Sequence, residues 1–275
     1  MVSLIFLFTF VSSTFLLTIW VGNYYLIPLW IILSYAIGVI FVFLFLFANL
    51  PIMKRISLTS KYKTYMSTSI AYFMNHFVLR LKVTVDGYEN IPRGGILTIY
   101  ANHKSYADPF IIAEAIKYPV TFTPKMGVYK IPLLGSWLKY LGSFPIDRSS
   151  DRNTARAMVD AIKVVKQGMG MVIFPEGGIK DRNDEKMVAM RAGAYRVAMK
   201  AGADMLPISL QNTTNIKYRA PFRATHVKVI IHPVVRYEDV KDLPTAVIAD
   251  RMFHIINNHL ENEPQVKVKK TVSSS

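Results

Sequence analysis

No charged side chain occurs before Lys54. Two apolar runs fill that stretch, about Leu4–Val21 and Tyr25–Leu50, parted by Gly22-Asn23-Tyr24. Spanning the hydrocarbon of a bilayer takes roughly 20 apolar residues. The second run meets that length and tolerates Pro28 near its start; the first barely meets it. Runs this long rarely suit a soluble core. A secretory signal would need a basic leading segment and a shorter apolar core, and neither is present. Lys54, Arg55, Lys61 and Lys63 follow directly, and a basic cluster beside an apolar segment stays cytoplasmic. Residues 1–53 are therefore expected to form a membrane-anchoring helical hairpin, with the rest of the chain at the cytoplasmic face. The length of the first helix leaves open whether it crosses fully.

Charge supports the same partner. The 275 residues carry a formal charge of +15 and are 52% hydrophobic. A chain both basic and apolar suits a phospholipid bilayer, which is anionic and apolar at once. Nucleic acid would match the charge but not the hydropathy, so no nucleic-acid partner is expected. With no cysteine, disulfides, a thiolate nucleophile and Cys-ligated zinc are excluded.

Residues 54–80 form a basic linking segment. Tyr62, Met66, Ile70, Phe73 and Phe77 recur every three or four positions, the period of an amphipathic helix. That face suits either packing on a core or lying on lipid headgroups. Over residues 81–260 the pattern turns to α/β. Strands are expected at 82–86, 96–100, 120–123, 143–146, 171–174, 205–210 and 227–232. Helices are expected at 109–117, 129–141, 154–167, 187–201 and 245–260. Alternation of this kind predicts a mostly parallel or mixed sheet covered by helices. The polar tail, 261–275, is expected to be disordered.

In open α/β sheets, ligands sit beyond the carboxyl ends of the strands. Two loops with chemistry fall there: Asn102-His103-Lys104-Ser105 after one strand and Pro175-Glu176-Gly177-Gly178 after another. If the two strands are parallel neighbours, His103, Asp108 and Glu176 face one crevice. Residues five apart on a regular helix point about 140° apart, so His103 and Asp108 meet only across a turn. Asp108 before Pro109 is also a good helix cap; one oxygen would cap while the other holds His103. Arg148 follows a further strand. There is no G-x-S-x-G elbow for a serine hydrolase, no H-E-x-x-H zinc pattern and no Walker glycine loop. Gly168-Met169-Gly170 precedes a strand, which is wrong for a dinucleotide fingerprint.

Taken together these segments are specific. Asn102-His103-Lys104-Ser105-Tyr106-Ala107-Asp108-Pro109 resembles the N-H-x-S-x-x-D motif of the 1-acylglycerol-3-phosphate acyltransferases, a glycerolipid acyltransferase family. Gly142–Arg148 resembles that family's second block, Phe174-Pro175-Glu176-Gly177 its third, and Leu206-Pro207-Ile208 its fourth. Lys125 with Ile131-Pro132-Leu133-Leu134-Gly135, and Arg191-Ala192-Gly193-Ala194, resemble segments between the blocks. The likeness covers about residues 82–235. Where the family has Thr-Arg after Glu-Gly, this chain has Gly178-Ile179, and Gly127 stands where many relatives have a glutamate.

The resemblance implies an enzyme that moves a fatty acyl group from a thioester donor, acyl-CoA or acyl-carrier protein, to the sn-2 hydroxyl of lysophosphatidic acid, giving phosphatidic acid. It implies His103 as general base, with Asp108 fixing its tautomer. Backbone amides near Gly177 are expected to hold the oxyanion. Arg148 is the first candidate for the phosphate, with Lys125 and Lys180 behind it. Glu176 is expected to bind a glycerol hydroxyl or to orient that arginine. The scheme needs no metal or cofactor. Two other readings are compatible with the sequence: transfer to another lysolipid, and a non-enzymatic membrane-anchored lipid-binding protein.

Overall fold

A computed structural model describes residues 1–145, 151–188 and 190–260. Arg148 and the tail 261–275 lie outside the described residues. The chain begins with two long helices, α1 (Val2–Val21) and α2 (Ile27–Arg55). Gly22, at φ 67°, terminates α1 in the left-handed conformation that glycine adopts at least cost. Both helices are long and apolar enough to cross a membrane by length and composition, and few of their residues are buried. Phe8, Phe15, Leu16, Ile19 and Trp20 are all exposed.

Ser60 caps α3 (Lys61–Phe73) by accepting from the Tyr62 amide, and the helix runs on as a π-type turn over Met74–Val78. Its apolar face is covered. Met66 and Phe73 are buried in one cluster with Val2, Phe6, Met53 and Trp137. Of the two roles open to this helix, that face serves packing. Lys63 is buried on it, its ammonium donating to the Tyr140 carbonyl, and burial lowers its pKa.

The catalogue of α/β elements follows the expected order. It comprises β1 (Leu81–Asp86), β2 (Leu97–Ala101), α4 (Asp108–Ile116), β3 (Val120–Thr121), α5 (Leu134–Tyr140) and α6 (Asp151–Lys166). These are followed by β4 (Gly170–Ile173), α7 (Arg196–Ala201), β5 (Asp204–Gln211), α8 (Ile216–Arg219), β6 (Thr225–Ile231) and α9 (Thr245–Asn257). The strands form one mixed sheet of order β1-β6-β5-β2-β4-β3. Only the β5–β6 pairing is antiparallel. Central β2 is buried along its whole length, as a strand covered on both faces must be.

Register decides where the loops go. β2 lies between β4 and β5, parallel to both. The chain therefore leaves β2, β4 and β5 at one edge of the sheet. Because β6 is antiparallel to β5 and parallel to β1, the starts of β1 and β6 share that edge; Leu81 sits opposite Thr225, and Gln211 opposite Lys228.

One expected strand is absent among the described residues, and the helices expected over 129–141 and 187–201 are shortened. Ser143–Pro145 is not a strand. Edge strand β3 is only two residues long, and Ser143 meets it by its side chain: its hydroxyl accepts from the Phe122 amide and bonds the Thr121 hydroxyl. Pro145 has no amide to extend a ladder. The helix expected over 187–201 is confined to Ala192–Tyr195, a 3₁₀ turn, and α7. Further back the amides are taken by tertiary partners: Met187 donates to the Asn257 side chain and Arg191 to the Pro175 carbonyl. The segment 129–141 opens on the end of a 3₁₀ turn, Met126–Lys130, and becomes α-helical only from Leu134, after Leu133 at φ 66°.

At the far edge of the sheet, buried His232 bonds the Ser209 hydroxyl at 2.7 Å, and that hydroxyl donates to the Ile256 carbonyl. A hydroxyl has one hydrogen, so His232 Nε2 must be the donor. Burial, with the nearby His259 ring adding to it, lowers the His232 pKa from 6.5 to about 4. Between those values the unfolded chain binds more protons, so His232 makes stability fall as pH drops from 6.5 towards 4. His232→Gln, which keeps an N–H donor, is expected to flatten the melting temperature against pH in that window. Parallel slopes for variant and wild type would remove His232 from the linkage.

Candidate active site

Six residues join β2 to α4, and side chains set their shape. Asn102 is buried and clamps the end of β2 to β5: its Oδ1 accepts from the Leu210 amide and its Nδ2 donates to the Leu210 carbonyl, both at 2.8 Å. Asn102 Nδ2 also donates to the Glu185 carbonyl at 3.1 Å. Asp108 then closes the turn from the other end. Its Oδ2 accepts from the Lys104 amide at 2.8 Å, the Ser105 amide at 2.9 Å and His103 Nδ1 at 2.8 Å. The expected division of labour between its oxygens is absent. The N-cap of α4 is Ala107, with no side-chain cap, and Oδ1 is buried without a hydrogen-bond partner among the described residues. Asp108 faces back into the turn because that is where the orphan amides are.

The His103 ring lies flat on Phe174, centroids 4.1 Å apart and 16° from parallel. Its side chain keeps 15% exposure while Asp108 is fully buried. A carboxylate only accepts, so Nδ1 carries a hydrogen, and in the neutral ring the lone pair is then on Nε2. One nitrogen is oriented by a buried acid on a ring that stays partly exposed, an arrangement that can serve general-base chemistry.

Beyond the end of β4, the Pro175–Gly178 loop meets this turn, as neighbouring parallel strands require. Glu176 is expected at the substrate, but both of its oxygens are engaged within the protein. Oε1 accepts from the His103 amide at 2.9 Å, and Oε2 pairs with Lys104 Nζ at 3.1 Å. Both side chains are fully buried. Glu176 thus ties the two loops together. The Gly177 amide is also engaged, donating to the Phe174 carbonyl at 3.0 Å, so it is not the expected oxyanion donor. The next amide, of Gly178, has no acceptor among the described residues. Gly177 sits at φ 75° beneath Arg191; a Cβ there would lie 2.8 Å from Arg191 Nε. Only glycine fits.

Arg182 and Arg191 stand beside these loops. Arg182 Nε donates to the Lys104 carbonyl at 3.3 Å, and its guanidinium lies 5.3 Å from the Tyr106 ring centroid. Arg191, Lys125 and Lys180 are exposed and make no ion pair among the described residues. Behind the turn, Glu185 is buried and accepts from the Thr214 amide and hydroxyl. Burial raises its pKa against those bonds, and the Asp108 charge raises it further.

Lys104, Asn102 and Glu185 are the residues that sequence reasoning left without a role. Lys104 had one signal, its place inside the motif between His103 and Ser105. Its partner is 72 residues away, beyond the reach of any local pattern. Glu185 had no signal at all.

Comparison with known proteins gives the family. A family model described as Acyltransferase matches residues 82–211. A 1-acyl-sn-glycerol-3-phosphate acyltransferase of Borreliella burgdorferi is 32% identical over 180 residues, 62% of this chain and 70% of that protein. A chloroplastic one from Arabidopsis thaliana is 27% identical, with 58% of this chain covering 48% of the plant protein. A Bacillus subtilis enzyme of the same name is 26% identical over 66% of this chain and 88% of its own. Among solved structures, the crystal structure of the 1-acyl-sn-glycerophosphate (LPA) acyltransferase from Thermotoga maritima superposes with a TM-score of 0.62. That match covers 71% of this chain and 77% of that one at 24% identity, a likeness of fold. With its helix-covered mixed sheet and its two apolar N-terminal helices, the chain belongs to the 1-acyl-sn-glycerol-3-phosphate acyltransferase family and is an acyltransferase.

Proposed function

We propose that the protein acylates the sn-2 hydroxyl of lysophosphatidic acid from a thioester donor, with His103 as general base and Asp108 as its orienting acid. The observation that carries this reading is the 2.8 Å bond from His103 Nδ1 to a fully buried Asp108, on a ring that itself stays partly exposed. An alcohol is a poor nucleophile at neutral pH. Nε2 takes its proton as the oxygen attacks the thioester carbonyl, and Asp108 stabilises the imidazolium that results. The tetrahedral intermediate collapses with loss of the thiolate, and the imidazolium returns the proton to that sulfur. No acyl-enzyme forms. The Gly178 amide is the nearest candidate for the oxyanion.

The acceptor carries a phosphomonoester of nearly two charges. Arg148 is its proposed clamp, with Lys125 and Lys180 as further candidates and with Arg182 and Arg191 beside the His103 and Glu176 loops. Arg148→Ala is expected to raise KM for lysophosphatidic acid about tenfold, the loss of one charge-assisted contact, with the donor KM unchanged. A rise in the donor KM alone would move Arg148 to the donor site.

The hairpin supports a membrane anchor for this chemistry. The Met1 ammonium and the Val2 amide bond Ser69, while Phe6 packs on Phe73 and Phe77. So α1 runs alongside α3 in the same direction. It continues past the end of α3 for about 20 Å, at 1.5 Å per residue. That is the sheet edge bearing His103, and the projecting length is short of the roughly 30 Å hydrocarbon core. The proposed hairpin therefore dips into the bilayer with the crevice facing it, on the cytoplasmic side that Lys54 and Arg55 favour.

The test is purified protein against a panel of lysolipids, with acyl-CoA or acyl-carrier protein as donor. Preferred turnover of lysophosphatidic acid upholds the reading. Preference for an acceptor without the phosphomonoester would assign the enzyme to another lysolipid, for which Gly178-Ile179 in the third block leaves room. No transfer to any acceptor would leave a lipid-binding protein.

A further inference from the structure

We infer that the loop Lys217–Arg223, together with Arg80, is a second membrane contact that seats the catalytic edge on anionic lipid headgroups. The inference rests on the membrane-anchored reading above. It starts from sequence: no acidic residue occurs between Asp204 and Glu238, while Lys217, Arg219, Arg223, Lys228 and Arg236 do. Within the loop, Phe222 is 84% exposed and Tyr218 57%. An exposed phenylalanine between two arginines is poorly placed for water alone. Aromatic and basic residues side by side match the interface of an anionic bilayer, where rings enter the acyl boundary and cations meet phosphates.

The loop is held in a presenting shape. Arg80 Nη1 donates to the Phe222 carbonyl at 2.7 Å, and Arg219 donates to the Ala224 carbonyl through Nε at 2.9 Å and Nη2 at 2.7 Å. With the carbonyls bound inward, the Phe222 ring stands outward. Lys217 donates to the Arg182 carbonyl at 2.8 Å and to the Asn183 side chain. Arg80, Lys217, Arg219 and Arg223 have no acidic partner among the described residues. Their charge is available to a ligand.

Position commits the loop to lipid. It lies between the end of β5 and the start of β6, and Arg80 lies at the start of β1, on the edge that carries His103. One side of the loop reaches the catalytic turn through Lys217, Arg182 and exposed Tyr106. The other reaches the hairpin, since Arg80 follows Phe77, which packs on Phe6 of α1. The loop, the crevice and the projecting hairpin thus face one plane. A hairpin alone would leave the domain free to rock. A second contact fixes the crevice over the acceptor, and each basic residue at an anionic surface adds about fivefold in affinity.

The chain has no cysteine, so a single introduced thiol can be labelled uniquely. Phe222→Cys, Leu16→Cys and Glu238→Cys would each carry an environment-sensitive fluorophore in the full-length protein. They report the loop, the hairpin and the opposite edge of the sheet. The vesicles are phosphatidylcholine with or without phosphatidylglycerol, doped with spin-labelled lipid. The inference expects several-fold stronger lipid quenching at 222 than at 238, and stronger still with phosphatidylglycerol. Quenching at 16 but not at 222 would overturn the inference while the anchor stood. Quenching at 222 but not at 16 would uphold the loop and refute the hairpin. Shielding of 222 by an acidic carrier protein, with no lipid quenching, would assign the surface to the donor and overturn the inference. These readouts need no turnover, so failure of the acyl-transfer assay is separable from failure here. In active enzyme, Phe222→Ser with Arg223→Ser is expected to raise KM several-fold for vesicle-borne acceptor and to leave detergent-dispersed acceptor unaffected. An equal effect on both would point to misfolding of the loop and overturn the lipid role.

Discussion

His103→Ala is expected to lower kcat for acyl transfer by about 10²–10⁴-fold, the usual contribution of a positioned base. The loss falls on kcat because the ring acts on a proton in flight and holds no charge of the bound lipid. Folding should survive. The two amide bonds from Lys104 and Ser105 to Asp108 remain, and the His103 amide still reaches Glu176. What goes is one partly exposed ring lying on Phe174. Circular dichroism and the melting temperature should therefore stay near wild type while turnover collapses. A variant that turns over at close to the wild-type rate would end the general-base reading. Asp108→Asn is a less clean probe, because that side chain also builds the turn.

The second large effect is on stability. Glu176→Ala leaves the Lys104 ammonium fully buried without its partner. Breaking a buried pair from one side costs about 3–5 kcal/mol, which for a chain of this size lowers the melting temperature by on the order of 10 °C. The same change strips the acceptor from the His103 amide, so activity falls with stability. Lys104→Met with Glu176→Gln removes both charges and keeps the volume, and it is expected to regain most of the loss. Thermal unfolding of the single and the double variant decides the point. If the double variant is no more stable than Glu176→Ala, the pair is not what holds these loops together.

These two predictions differ in how far they could be read from the chain. His103 and Asp108 are five residues apart, and a turn between a strand and a helix is a local matter of residue type. β2 was legible for the same reason, being a run of β-forming residues with no competing signal. The helix expected over 187–201 shows the limit. Its apolar spacing is real, but the Arg191 amide bonds the Pro175 carbonyl, where a helix from 187 would have it bond Met187. A tertiary acceptor outcompeted the local one. The strand expected over 143–146 failed similarly, because β3 is only two residues long and Ser143 meets it by its side chain.

Hydropathy, turn chemistry and motif order act within a few residues of chain. They were enough to define an apolar hairpin, an α/β domain, the histidine–aspartate turn and a family. The partners of Glu176 were not of that kind. Lys104 and Glu176 are 72 residues apart, and they meet because β2 and β4 pair in parallel with Tyr100 opposite Ile173. That register carries the Glu176 carboxylate beneath the His103 turn, where it binds an amide and an ammonium. It also brings Arg80, the Lys217–Arg223 loop and the His103 turn to one edge of the sheet, through the antiparallel step at β6. Strand pairing acts through space, and a linear pattern does not encode which buried charge it will bring against which.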